Sequence, residues 1–171
     1  PVTMRVPLKF GAEKANTAGS LCARVCLKVA DGQGRTAVGW GETPLGVQWS
    51  WPSTLPFSDR SQAMQRFCVL LAEAWAAFRY VGHALDIGYA FQEQVLPGLV
   101  ARANQGREAG AEPIPWLAAL VCCSPFDLAL HDAYGALHRC PVYDTYGPEF
   151  MSRDTRRRGG AQPRPRRTHV T

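Results

Sequence analysis

Strand-like alternation is confined to the first 50 or so of the 171 residues, and helix-like periodicity follows it. That order constrains the fold more than any other feature. A run of strands followed by a run of helices predicts an α+β domain, with helices packed on one face of a small antiparallel sheet. Three strands are expected. Met4–Phe10 forms the first, and alternating Ala23, Val25, Leu27 and Val29 form the second. Thr36–Trp40 forms the third, joined to the second by the turn residues Asp31-Gly32-Gln33-Gly34. A short glycine-rich connection between two alternating runs favours a hairpin. Gly39 and Gly41 flank Trp40, which predicts backbone held close to a neighbouring element.

Next comes an irregular loop rich in proline and tryptophan, Thr43–Pro52. Asp59 and Gln62 have the spacing of a capping box, and Ala63, Phe67, Leu70, Leu71, Ala74 and Phe78 then keep helical spacing. Ile87, Phe91, Val95 and Leu99 predict a second helix, residues 104–113 a loop, and Trp116–Leu137 a third helical region. Pro125 must kink or restart that region, and Ser124 and Asp127 favour a restart.

The formal charge of +5 comes from one end: residues 153–171 carry seven Arg and one Asp, which leaves residues 1–152 at −1. The body is therefore not a basic nucleic-acid-binding surface, which would spread its charge over a folded face. The tail, 152–171, contains almost nothing a core could use and is expected to be disordered. An independent binding module whose arginines attract nucleic acid or another polyanion is the alternative it leaves open. No apolar run reaches the roughly 18 residues of a membrane span, so a cytoplasmic protein is expected. Of the six cysteines, Cys22 and Cys26 lie on one strand about 13 Å apart, too far for one bridge or one metal ion. No Cys-x-x-Cys pair occurs, so reduced cysteines filling apolar sites are expected.

Two stretches stand out together: Gly34–Pro44, containing Gly39-Trp40-Gly41-Glu42, and Ser124–Gly135, containing Ala129-Leu130-His131-Asp132. Pro141-Val142 and Tyr146-Gly147 follow them. In that order and at those separations, residues 5–151 resemble the N-terminal capping domain of the enolase superfamily, in the mandelate racemase and muconate lactonizing branch. The resemblance implies a three-stranded antiparallel sheet with a helical bundle over residues 1–151. Such a domain sits over a (β/α)₈ barrel in a racemase, dehydratase or cycloisomerase that acts on a small carboxylate substrate as a homo-oligomer. Magnesium, its three acidic ligands and the lysine or histidine base all belong to that barrel, where the cation stabilises an enediolate. A chain of this length has no room for a barrel of about 250 residues. No catalytic or metal residue is therefore assigned here, no cofactor is expected in this chain, and the tail reads as a truncated or frame-shifted end.

In such domains the loops after the first and third strands close over substrate. They map to about Lys9–Thr17 and Thr43–Trp51, which makes Lys9, Phe10, Trp49 and Trp51 the candidate substrate-contacting residues. Each has a plainer reading: Lys9 as a solvated strand-edge charge, Trp49 and Trp51 as packing for their own loop. Glu42 is expected in a fixed hydrogen bond or ion pair. His131 and Asp132 point about 100° apart on a helix and cannot orient one another as a relay with Ser124. His83 is expected as a capping or exposed residue.

Overall fold

The computed structural model describes residues 2–10, 13–18, 21–105, 107, 111–151 and 168–170. The chain is α+β. Strand β3 (Cys22–Asp31) pairs antiparallel with β4 (Thr36–Pro44) in unbroken register from Cys22↔Pro44 to Ala30↔Thr36. Their turn is closed by Asp31, whose Oδ1 accepts the Gln33 and Arg35 N–H groups at 2.9 Å each and whose Oδ2 takes the Arg35 guanidinium. Gly34, at φ +79°, supplies the left-handed residue this turn requires.

Alternation divides the hairpin into two faces. Leu27, Val29, Gly39 and Gly41 are buried, whereas Arg24, Cys26, Lys28, Val38, Trp40 and Glu42 are exposed. Helix α5 (Trp116–His138) lies on the buried face. The two glycines let β4 rest directly on its backbone. A Cβ at Gly39 would lie 2.1 Å from the Ala133 nitrogen, and one at Gly41 would lie 2.0 Å from the Pro125 carbonyl oxygen. Ala129 and Ala133 are the small residues of α5 that complete this close approach.

The first strand differs from expectation. β1 (Val2–Phe10) pairs with β2 (Glu13–Ala18), not with β3, so it forms a separate two-stranded sheet in place of the third strand of one sheet. The register of that pair shifts between Thr3 and Leu8, the span that contains Pro7, which has no N–H to give to a ladder. In the main sheet the order is β4-β3-β6-β5, with β5 at Val81–Gly82 and β6 at Thr168–Val170. Residues 168–170 of the tail are thus a strand, and 152–167 lie outside the described residues.

A short helix α1 (Val47–Ser50) precedes α2 (Phe57–Ala77). The Asp59–Gln62 spacing does not mark a capping box: the chain enters α2 through Pro56, and Asp59 lies inside the first turn, where its charge suits the helix dipole. The expected second helix is two, α3 (Ala84–Gln94) and α4 (Leu96–Gln105). Pro97 explains the break, because it cannot donate to Glu93 and its ring crowds that carbonyl. At Pro125, by contrast, α5 continues without a restart. The lost donor is outweighed by packing, since Val121, Cys122, Cys123, Pro125 and Phe126 are all buried between the sheet and the other helices. Trp75 of α2 stacks on Phe91 of α3 at 4.0 Å between centroids and lies parallel to Phe126 of α5. Among the described residues no helix is long and apolar enough to cross a membrane.

Candidate functional site

The loop leaving β4 is built around two tryptophans with opposite fates. Gly46, at φ +50°, caps α1, and the Trp49 indole lies across it, so that a Cβ at 46 would stand 2.1 Å from Nε1. Trp49 itself is 52% exposed. Trp51 has no exposed surface. Its indole N–H donates to Glu112 Oε1 at 2.8 Å, while the Ser53 hydroxyl donates to the other carboxylate oxygen at 2.5 Å. The Arg107 guanidinium sits 5.2 Å above the Trp51 ring, and Arg60, only 3% exposed, donates from Nη1 to the Trp51 carbonyl at 2.6 Å. The Ser53 hydroxyl, then the Trp51 indole, hold the Glu112 carboxyl below its usual range against the opposing effect of burial, helped by the charges of Arg60 and Arg107.

Trp51 is therefore a clamp between the β4 loop and the segment before α5, not a substrate-facing wall. Replacing it with phenylalanine should keep the ring burial but orphan one Glu112 oxygen and open a small void. A loss of about 1–3 kcal/mol is expected, read as a lower urea midpoint with the denaturation slope unchanged. A midpoint equal to that of the parent chain would show that the clamp contributes nothing.

The clamp gathers the starts of α2 and α5 at the same end of the molecule as the β4 loop. Trp49, Phe57, Trp116 and Leu117, all on those segments, are large apolar side chains left exposed. Lys9 and Phe10 end β1, and their side chains lie outside the described part of the structure. Of the two anticipated substrate contacts whose side chains are described, Trp49 is exposed and Trp51 is buried.

The other expectations divide cleanly. Glu42 pairs with Arg24 directly across the hairpin at 2.7 Å, an exposed cross-strand ion pair. Asp132 accepts the Trp40 backbone N–H at 2.8 Å, fastening α5 to the edge of β4. His131 Nδ1 contacts the Asp127 carbonyl at 2.8 Å, and Ser124 accepts a hydrogen bond from Thr43, so no relay forms. His83 does cap α3, its Nδ1 accepting the Leu85 N–H at 3.1 Å, but it is fully buried, not exposed. Because Nδ1 accepts, the proton sits on Nε2, which donates to Thr145 Oγ1 at 2.9 Å.

Sequence reasoning passed over Arg60, Arg107 and Glu112. Arg60 had a readable signal: it falls at helical spacing with Ala63, Met64 and Phe67 on the buried face of α2. Among the described residues no group of three or more His, Cys, Asp or Glu is assembled to hold a metal ion. In comparisons with known proteins no family model, no curated protein and no solved structure matches this chain.

Proposed function

We propose that the chain is a substrate-capping domain resembling that of the mandelate racemase and muconate lactonizing branch of the enolase superfamily. Its partner would be a (β/α)₈ barrel that supplies magnesium, its ligands and the base. The described residues do not fit magnesium, because no acidic cluster is assembled among them, and no chemical step is assigned to this chain. Its work is to cover a site and exclude water from it. One observation carries the reading: the glycine-tight seat of β4 on α5 delivers the Thr43–Trp51 loop to the end where Trp49, Phe57, Trp116 and Leu117 stand exposed. Exposed apolar side chains on segments that the fold brings to one end supply area that a partner can cover, although Trp40, Val69 and Leu128 are exposed on other elements. The Trp51 clamp gives that loop a fixed base, so Trp49 is presented from a rigid support.

The surface and the metal are tested separately. Changing Trp49, Trp116 and Leu117 together to serine should abolish self-association of the isolated chain in light scattering while far-ultraviolet circular dichroism keeps the helical signal of the fold. Titration with magnesium should give no saturable heat. Saturable magnesium binding, or an apolar end whose removal leaves association unchanged, overturns the capping assignment.

A further inference from the structure

Cys68 and Cys122 are brought together by a contact that neither the hairpin nor the Trp51 clamp uses. The Cys122 thiol, on α5, donates to the Met64 carbonyl of α2 at 3.6 Å. In an α-helix that carbonyl receives the N–H of the residue four positions on, which is Cys68. The Cys122 sulfur therefore sits against the turn of α2 that carries Cys68. Cys122 is buried, but Cys68 is half-buried and lines an open groove of about 470 Å³ that runs between β3 and α2, past Val69, Ala72 and Trp75. One thiol can thus meet a small solute from solvent while the other waits behind it.

We propose that Cys68 and Cys122 form a peroxide-sensitive dithiol that closes to a disulfide tying α2 to α5. Cys68 is the attacking sulfur and Cys122 the resolving one. The Cys68 thiolate attacks the O–O bond of a hydroperoxide. An S–O bond forms, the O–O bond breaks, and for hydrogen peroxide the departing oxygen takes a proton and leaves as water. The Cys122 sulfur then attacks the sulfenic sulfur of Cys68. The S–S bond forms, the S–O bond breaks, and the oxygen leaves as a second water with the Cys122 proton. Two thiols have then given two electrons to one peroxide.

The electrostatics assign the same roles. When Cys68 loses its proton, the Cys122 S–H can turn from the Met64 carbonyl to the thiolate, which lowers Cys68 despite its burial, while the same interaction and burial push Cys122 up. Cys123, next along α5, is pushed up to about 12 by burial and is a poor competitor.

The test uses the full chain with Cys22, Cys26 and Cys140 changed to serine, treated with one equivalent of hydrogen peroxide, alkylated and digested with trypsin. Peptide 67–79 should appear joined to peptide 108–139, two hydrogens lighter than their sum, and dithiothreitol should separate them. Cys122→Ser should abolish the link and leave a Cys68 sulfenic acid that dimedone traps, while Cys123→Ser should keep the link. Since Cys122→Ser could fail to fold, the rate of linking is also compared in buffer and in urea. Native positioning should make it at least about tenfold faster in buffer. A link that survives Cys122→Ser, a link only between chains, equal rates in buffer and urea, or both thiols fully alkylated after peroxide would each overturn the proposal.

Discussion

Gly39→Ala should sharply destabilise the fold, although it adds a single methyl group. The new carbon would lie 2.1 Å from the Ala133 nitrogen, 2.3 Å from the Ala129 oxygen and 2.7 Å from the Ala133 Cα. All three are backbone atoms of α5, so no side chain can rotate away, and β4 must lift off the helix by about 1 Å or more before ordinary contact is restored. Lifting it opens the layer between Leu27, Val29 and α5, so the cost combines overpacking at one point with voids around it. A loss of about 4 kcal/mol or more is expected, a large share of the 5–15 kcal/mol that holds a domain of this size together. Gly41→Ala, which meets the Pro125 carbonyl at 2.0 Å, should behave alike. Gly32→Ala in the hairpin turn meets nothing within 4 Å and serves as the control, with a change of about 0.5 kcal/mol or less. Urea unfolding followed by circular dichroism reads all three. Coincident midpoints for Gly39→Ala and the parent would show that β4 does not sit on α5 as described. The same lift would displace the Thr43–Trp51 loop that β4 leads into, so the fold and the capping surface share this support.

That contact was legible in the sequence because a glycine pair around a strand tryptophan has few other uses: the pattern calls for a close neighbour, and α5 is that neighbour. The Asp31–Gly34 turn was legible for a similar local reason, since a carboxylate two residues before backbone donors and a glycine at positive φ are properties of four or five adjacent residues. Partner choice is different in kind. Nothing within Met4–Phe10 states whether it pairs with Glu13–Ala18 or with Cys22–Asp31, and the decision rests on long-range packing. Glu-Lys-Ala-Asn-Thr-Ala has no strand alternation and reads as loop, so its pairing with β1 inside the expected Lys9–Thr17 loop was not legible. Pro125 misleads for the same reason: its local penalty is real, but the buried neighbours of α5 outweigh it. Pro97 is the opposite case, a local signal that the four-residue spacing of Ile87, Phe91, Val95 and Leu99 hides.

In the candidate site, two tryptophans two residues apart in an irregular loop carry no periodicity to say which faces inward. The deciding partner of Trp51, Glu112, is 61 positions away. His83 shows the same limit. Its position before an apolar helix suggested a cap, which it is, but its burial is imposed by Tyr134 and Tyr146 against its ring and by Thr145 at its Nε2.

The burial of His83 makes the fold sensitive to mild acid. Its folded pKa is depressed from 6.5 to about 4, chiefly because burial disfavours the imidazolium. Asp86 opposes the shift, His131 and His138 reinforce it, and the backbone of Thr145 opposes it weakly. Protonation would also place a hydrogen on Nδ1, ending its acceptance of the Leu85 N–H and setting a positive charge at the positive end of the α3 dipole. The unfolded chain takes up this proton below about 6.5, whereas the folded chain resists until about 4, so across that window the unfolded state binds more protons and stability falls as pH falls. The contribution is complete above pH 6.5 and gone below about 4, with a span of about 3 kcal/mol. Asp127, whose carboxyl burial raises, acts in the opposite sense, and Asp31 and Glu112, both lowered, lose their contributions at still lower pH. His83→Asn isolates the histidine, because asparagine can cap α3 from the same position and does not titrate in this range. The difference in urea-unfolding free energy between the parent and His83→Asn should therefore shift by about 3 kcal/mol in favour of the variant from pH 7 to pH 4. A difference that stays constant over that range would mean that His83 takes up its proton in the fold over the same pH range as in the unfolded chain, and burial would not be holding it neutral.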